Sequence, residues 1–239
     1  MAWQSSGDTN EALIINLARN KLIKSDRVKE AMLKVRGPTI RDASRTDEWS
    51  QVDRGDYAPA SPYEDSPQPI GHRATISAPH MHASACESLL DYLQPGSKVL
   101  DVGSGSGYLT AVLANLVAPN GTVIGIDHIQ ALNDMAKENM AKSEHGRKMM
   151  ESGQVKFVTG DGRKGWSEGA PYDAIHVGAA AAEHHAVLTD QLKAPGRLFV
   201  PVAEGFTQHI YVIDKRADGS VERQKLYGVQ YVPLTDAPA

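Results

Sequence analysis

The sequence predicts an α/β protein: a mostly parallel sheet, preceded by an N-terminal helical cap and closed by a C-terminal antiparallel hairpin. Three observations predict it. Short β-branched and aliphatic runs at residues 99–102, 122–126, 155–158, 171–178 and 196–202 alternate with helix-length stretches, as expected when crossover helices bury both faces of parallel strands. The first run enters LDVGSGSG at 100–107, where Gly103, Gly105 and Gly107 stand between a strand and a helix N-terminus, a place where backbone can approach a nucleotide-like ligand. Residues 209–215 and 221–232 read as two strands joined around Asp218-Gly219, a turn pair suited to a hairpin.

Taken in order, the chain opens with a helix whose apolar face carries Leu13, Ile14, Leu17 and Ala18. Ser25 caps a second helix running to about residue 35, with Val28, Ala31, Met32 and Val35 on one face. Residues 36–56 contain Gly37-Pro38, charges of both signs and few sizeable apolar residues (Ile40, Trp49, Val52), so they read as a flexible insertion, which costs little loop entropy at a surface. Residues 57–79 are proline-studded yet carry aromatics, the mark of an ordered connection lying over the sheet. A helix follows to about residue 93, with Ser77 as its cap and Pro79 in its first turn, so that Thr75, Ile76 and Ser77 face the glycine cleft. Helices at 108–117 and 130–142, a polar crossover through residue 147, and a helix from the small-residue run 179–182 to about residue 192 complete the βα alternation. The expectation is one domain over 1–239: helices in 1–35, the insertion, and a substrate and cofactor core in 57–239.

Composition excludes several classes. The net charge is −4, from 25 basic and 29 acidic residues, and no basic tract interleaves with aromatics, which argues against a nucleic-acid surface. A single cysteine, Cys86, set among apolar residues, forms no intrachain disulfide and reads as a packed thiol of a reducing compartment. No run of about eighteen apolar residues exists and the N-terminus lacks a signal-peptide core, so no membrane partner and a cytoplasmic location are expected. No metal site is expected: His80 and His82 are two apart and His184 and His185 adjacent, neither of which puts two rings on one helix face.

The glycine turn is G-x-G-x-G, with Tyr108 where the dinucleotide fingerprint would place its third glycine, and this weakens a nicotinamide reading. Asp101 stands two residues before the first glycine, placed to hold an ammonium group. Asp127 ends the next strand about twenty residues on, as an acid gripping ribose hydroxyls should. Asp161-Gly162 closes a third strand, either as an acceptor for an adenine amino group or as an ordinary turn. His176, within a buried strand pattern, reads as a satisfied core histidine. This pattern resembles the S-adenosylmethionine site of Rossmann-like methyltransferases.

The resemblance becomes specific in SPYEDSPQPIG (61–71), ATISAPHMHA (74–83), LDVGSGSG, VIGIDHI (123–129), GDGR (160–163), APYDAIHVGAAA (170–181), DQLK (190–193) and YVPLTD (231–236). Over nearly its whole length the chain resembles the protein-L-isoaspartate (D-aspartate) O-methyltransferases. That resemblance implies a Rossmann-like methyltransferase fold and S-adenosylmethionine as cofactor. It implies cofactor contacts at Ala74, Thr75, Ile76, Ser77, His82, Asp101, Val102, Gly103, Gly105, Asp127, His128, Asp161, Gly162 and Thr235. His82 is also readable as a packed, capping histidine. The resemblance makes Ser77 the active-site serine and isoaspartyl-containing proteins the substrates; nothing in the sequence suggests an obligate dimer, so a monomer is expected. The implied reaction is methyl transfer to the free α-carboxylate of an isomerised aspartyl residue. Such a carboxylate, with a reference pKa near 3.5, is already ionised at neutral pH and needs no general base. His72 and Arg73 depart from the family's pattern before ATIS, which bears on substrate preference, and residues 36–56 are longer than the family counterpart. The alternative is a methyltransferase of the same fold acting on another small-molecule or RNA acceptor, since fold does not determine the acceptor.

Overall fold

The computed structural model describes residues 5–33, 52–183 and 186–234. Helix α1 (Asn10–Arg19) starts at Thr9, whose side chain accepts a hydrogen bond from the Ala12 N–H, and it buries Leu13, Ile14 and Leu17. Helix α2 (Asp26–Met32) is capped by Ser25 as expected, but it stops at Met32 because Leu33 is already extended. Val35 lies outside the described residues. The expected flexible insertion fails at its C-terminal end: Val52 is 1% exposed and Arg54, which opens a 3-10 turn (Arg54–Asp56), is 0% exposed. Asn10 is the reason. Its side-chain amide donates to the carbonyls of Met32 (2.9 Å) and Val52 (3.5 Å), and its oxygen faces the Arg54 N–H at 3.5 Å, so the returning chain is stitched to the helical cap.

The connection over the sheet contains a small hairpin, β1 (Gln68–Gly71) and β2 (Ala74–Ile76), turned by His72 and Arg73 at φ 50° and 58°. Helix α3 (Pro79–Leu89) has proline in its first turn as expected, but its N-cap is Ala78, not Ser77, with no side-chain cap bond. Ser77 stands one residue too early. The buried carboxylate of Asp65 instead accepts from the His80 N–H (2.9 Å) and pairs with His80 Nδ1 (2.8 Å), so a residue from before β1 satisfies the first turn.

The main sheet comprises β3 (Lys98–Val102), β4 (Thr122–Asp127), β5 (Val155–Thr159), β6 (Tyr172–Val177), β7 (Leu192–Glu204), β8 (Thr207–Lys215) and β9 (Val221–Val229), in the order β5-β4-β3-β6-β7-β8-β9. The pairs from β5 to β7 are parallel and the last two antiparallel. Helices α4 (Tyr108–Leu116), α5 (Gln130–Ala141), α6 (Glu144–Glu151) and α7 (Ala186–Asp190) link the parallel strands. Helix α6 replaces the expected polar crossover: Ser143 caps it through the Gly146 N–H, and Met149 is the buried side chain that anchors it. One sizeable anchor leaves little periodicity to read. The helix expected to reach residue 192 is only α7, because Leu192 already belongs to β7.

The last strand, expected through residue 232, ends at Val229. The Gln208 side chain donates to the Tyr231 carbonyl (3.1 Å) and accepts from the Tyr231 N–H (2.6 Å), and the chain then leaves the ladder to pair with Ala180 on both sides of Pro233. Chain order reverses between β3 and β6: β3 leads outward to β4 and β5, and β6 to β7. The C-terminal ends of β3 and β6 therefore frame the crevice where open α/β sheets take their ligands. Cys86 is buried and free, and burial pushes its thiol pKa up, as expected of packing rather than reactivity.

Candidate active site

The floor of the crevice is local in sequence. Gly103 (φ 77°) turns the chain out of β3, a conformation that glycine adopts without steric penalty. Its N–H donates to the Ile126 carbonyl (2.8 Å), tying the turn to β4. Asp127, at the end of β4, is 6% exposed; its two carboxylate oxygens accept from the Gly105 N–H (3.2 Å) and the Ile129 N–H (3.1 Å). Burial raises its pKa above the ordinary carboxylate value, and these backbone donors oppose the rise. His128 lies beside it, Nδ1 3.7 Å from a carboxylate oxygen. Both residues line a cavity of about 530 Å³, within the range of small-molecule sites. His72, Arg73, Ala74 and Thr75 form another side of it, and Val232, Pro233 and Leu234 a further wall.

A small polar recess of about 30 Å³ adjoins this cavity, sharing Thr75, Gly103, Gly105 and Gly178 with it. Ile76, Ser77, His82, Asp101, Ser104 and His176 line the recess. Asp101 is buried, and its oxygens accept from Thr110 Oγ1 (2.6 Å) and pair with His176 Nδ1 (2.8 Å), so His176 is the satisfied core histidine expected, stacked on Phe199. The Ser77 carbonyl accepts from Arg54 Nη2 (2.9 Å), and the serine side chain lies beside the Tyr231 phenol. His82 Nδ1 lies 3.3 Å from Arg54 Nη1 and its ring packs on Tyr108; burial, then the arginine charge, hold its pKa well below the usual histidine value, so it is neutral.

Of the residues singled out in the sequence, Ala74, Thr75, Ile76, Ser77, His82, Asp101, Gly103, Gly105, Asp127 and His128 converge on these two connected spaces. Val102, Asp161 and Gly162 line neither. Val102 is a fully buried strand residue whose carbonyl accepts from the Gly178 N–H (2.8 Å). Asp161 caps the Arg163 N–H (3.0 Å) and pairs with that guanidinium (2.8 and 3.0 Å), which lowers its pKa. Gly162 packs so tightly that a Cβ there would meet Val102 Cγ1 at 2.4 Å. Thr235, His184 and His185 lie outside the described residues. Sequence reasoning did not single out Tyr108, which lines the recess, or Arg54 and Tyr231, which line neither space but reach Ser77 from behind it. A lone arginine in a charged stretch has no periodicity to betray it, although Val52 beside it was an available apolar signal.

The residues present fit S-adenosylmethionine. Asp127 keeps lone pairs for hydroxyl groups after its two backbone bonds. Ser104 Oγ, in the recess, is buried without a partner among the described residues. Gly178 approaches the turn so closely that a Cβ would lie 3.1 Å from the Gly103 carbonyl oxygen. No helix among the described residues is long and apolar enough to cross a membrane, and no group of three or more His, Cys, Asp and Glu among them is arranged to hold a metal.

Comparison with known proteins agrees with this geometry. A protein-L-isoaspartate O-methyltransferase of Caenorhabditis elegans is 45% identical over 235 residues, 98% of this chain and 96% of that protein. One of Triticum aestivum is 45% identical over 238 residues, 99% of this chain and 95% of that one. A Plasmodium falciparum crystal structure described as a protein-L-isoaspartate O-methyltransferase, in complex with S-adenosyl-L-homocysteine, superposes with a TM-score of 0.83 at 33% identity, covering 96% of this chain and 99% of that one. The model of the family described as protein-L-isoaspartate(D-aspartate) O-methyltransferase matches residues 8–239, and this chain belongs to that family.

Proposed function

We propose that this protein methylates the α-carboxylate of L-isoaspartyl, and also D-aspartyl, residues in damaged proteins, the step that initiates their repair. It acts as a cytoplasmic monomer on polypeptide, not nucleic acid. The observation that carries the reading is the placement of Ser77 in a polar recess that shares Thr75, Gly103, Gly105 and Gly178 with the cavity lined by Asp127.

S-adenosylmethionine, when bound, supplies an electrophilic methyl group on a positively charged sulfur. Asp127 and the Gly103–Gly105 backbone would hold it, while Leu132 and Ile129 provide apolar lining. The acceptor needs no deprotonation, because its α-carboxylate is ionised at neutral pH. The protein's work is orientation and exclusion of water, together worth several kcal/mol. The Ser77 hydroxyl donates to the acceptor carboxylate without neutralising it. Ser77 is no covalent nucleophile: among the described residues no histidine hydrogen-bonds its hydroxyl, and His82 Nδ1 faces Arg54 instead.

The test is base-labile methyl incorporation from labelled S-adenosylmethionine into paired peptides that differ only in aspartate versus isoaspartate at one position. Methylation confined to the isoaspartyl peptide is expected. Labelling of neither peptide by a protein that binds S-adenosyl-L-homocysteine would overturn the acceptor assignment.

A further inference from the structure

Arg54 is fully buried, yet among the described residues its guanidinium hydrogen-bonds no carboxylate. Nη2 donates to the Ser77 carbonyl (2.9 Å), Nη1 faces His82 Nδ1 (3.3 Å), the guanidinium carbon lies 5.2 Å from the Tyr108 ring centre, and Nε has no partner among the described residues. The nearest acidic influence is Asp65, which is already bound to His80. Burial pushes the Arg54 pKa down to about 10, so it stays protonated at neutral pH. An ion kept out of water without a paired counter-ion costs several kcal/mol, an outlay that stability alone does not explain.

The chemistry of the donor set says what it does. Arginine has no acceptor, so its contact with His82 Nδ1 requires a lone pair there and leaves the imidazole proton on Nε2. We infer that Arg54 is a positioning residue of the active site: it locks His82 as the neutral Nε2–H tautomer, pins the Ser77 carbonyl, and sets a buried positive charge behind a recess that receives carboxylates. The acceptor's carboxylate belongs there on the reading proposed above, on which this inference rests, and Ser77 and His82 are also among the cofactor contacts that the family resemblance implies. With Nδ1 occupied, Nε2–H is the donor that His82 retains for the recess it lines. The fork also couples two functions, since Ser77 and His82 sit on one segment and are gripped by separate nitrogens of one rigid plane. Lysine would restore the charge but not the double grip.

The tautomer is read directly from the ¹⁵N spectrum of histidine-labelled wild-type protein, without cofactor or substrate. Nε2 protonated and Nδ1 bare is expected for His82; a proton on Nδ1 overturns the inference by itself. Arg54→Met and Arg54→Lys are then compared by calorimetry with S-adenosyl-L-homocysteine and by kcat and KM for an isoaspartyl peptide. In Arg54→Met, mixed tautomers, about tenfold weaker binding and a drop in kcat of about thirtyfold are expected, the size of losing hydrogen bonds to a charged group. Arg54→Lys should recover most of the binding but not the rate. Wild-type tautomer and affinity in both folded variants would overturn the inference, and if Arg54→Met does not fold, the wild-type spectrum and Arg54→Lys decide. Failure of wild-type protein to bind S-adenosyl-L-homocysteine would instead sink the cofactor and acceptor reading, which the tautomer measurement does not need.

Discussion

The floor and the acceptor side of the cleft are built in opposite ways. The floor, from β3 through the glycine turn to Asp127, lies within thirty consecutive residues and is held by backbone hydrogen bonds: Gly103 and Ser104 to Ile126, and Gly105 and Ile129 to the Asp127 carboxylate. The proposed acceptor side gathers Arg54, Ser77, His82 and Tyr231 from segments far apart in the chain and rests on side-chain contacts: the Arg54 fork on Ser77 and His82, with the Tyr231 phenol beside Ser77. A backbone-bonded floor survives side-chain change and serves an invariant cofactor. A wall made of side chains can be disturbed one contact at a time, so variants of Ser77 and Tyr231 should affect turnover while leaving cofactor binding intact, whereas Arg54, which grips Ser77 and His82 together, should affect both.

Substitutions separate the two sides, and the largest effect is expected on the wall. Ser77→Ala should lower methylation of isoaspartyl peptide about a hundredfold while S-adenosyl-L-homocysteine affinity stays within about twofold, the loss of one hydrogen bond to a charged group. Equal losses in calorimetric affinity and rate would mean that Ser77 belongs to the cofactor floor. Asp127→Asn should do the reverse, weakening calorimetric affinity by about thirtyfold with kcat largely kept at saturating cofactor. Its pH dependence follows from the direction of the shift. Because burial raises the Asp127 pKa and the ionised form is the better hydroxyl acceptor, wild-type affinity should decline on acidification from a pH above the ordinary aspartate value of about 3.9, and Asp127→Asn should lack this component. An identical acid decline in wild type and variant would remove Asp127 from that role. Tyr231→Phe is the mildest change: it removes the phenol oxygen beside Ser77 and should cost about 1 kcal/mol in ΔG‡, a roughly fivefold fall in kcat, with unchanged affinity. A larger loss of affinity than of rate would show that Tyr231 supports the cavity wall at residues 232–234 rather than the serine.

The difference between the two sides also decides what could be read before folding. The βα alternation, the glycine turn, Asp127 at a strand end and the placement of Ser77 beside the cleft are local patterns, set by strand and helix periodicity and by the φ values that glycine permits. By itself, the sequence therefore determined the sheet, the floor and, through the family motifs, the cofactor. It did not show Asp65 capping α3, Asp161 turned onto Arg163, or the last residues leaving the sheet at Gln208 to wall the cavity. Least of all did it show Arg54, which stands in a stretch whose charge and composition read as flexible. Only tertiary structure decided these, because each depends on a side chain meeting a partner distant in sequence or on a burial that no residue spacing encodes. Asn10 illustrates the physical reason: a buried amide must satisfy its hydrogen bonds, and the groups it found, at Met32, Val52 and Arg54, drew a charged segment into the core and delivered an arginine to the active site.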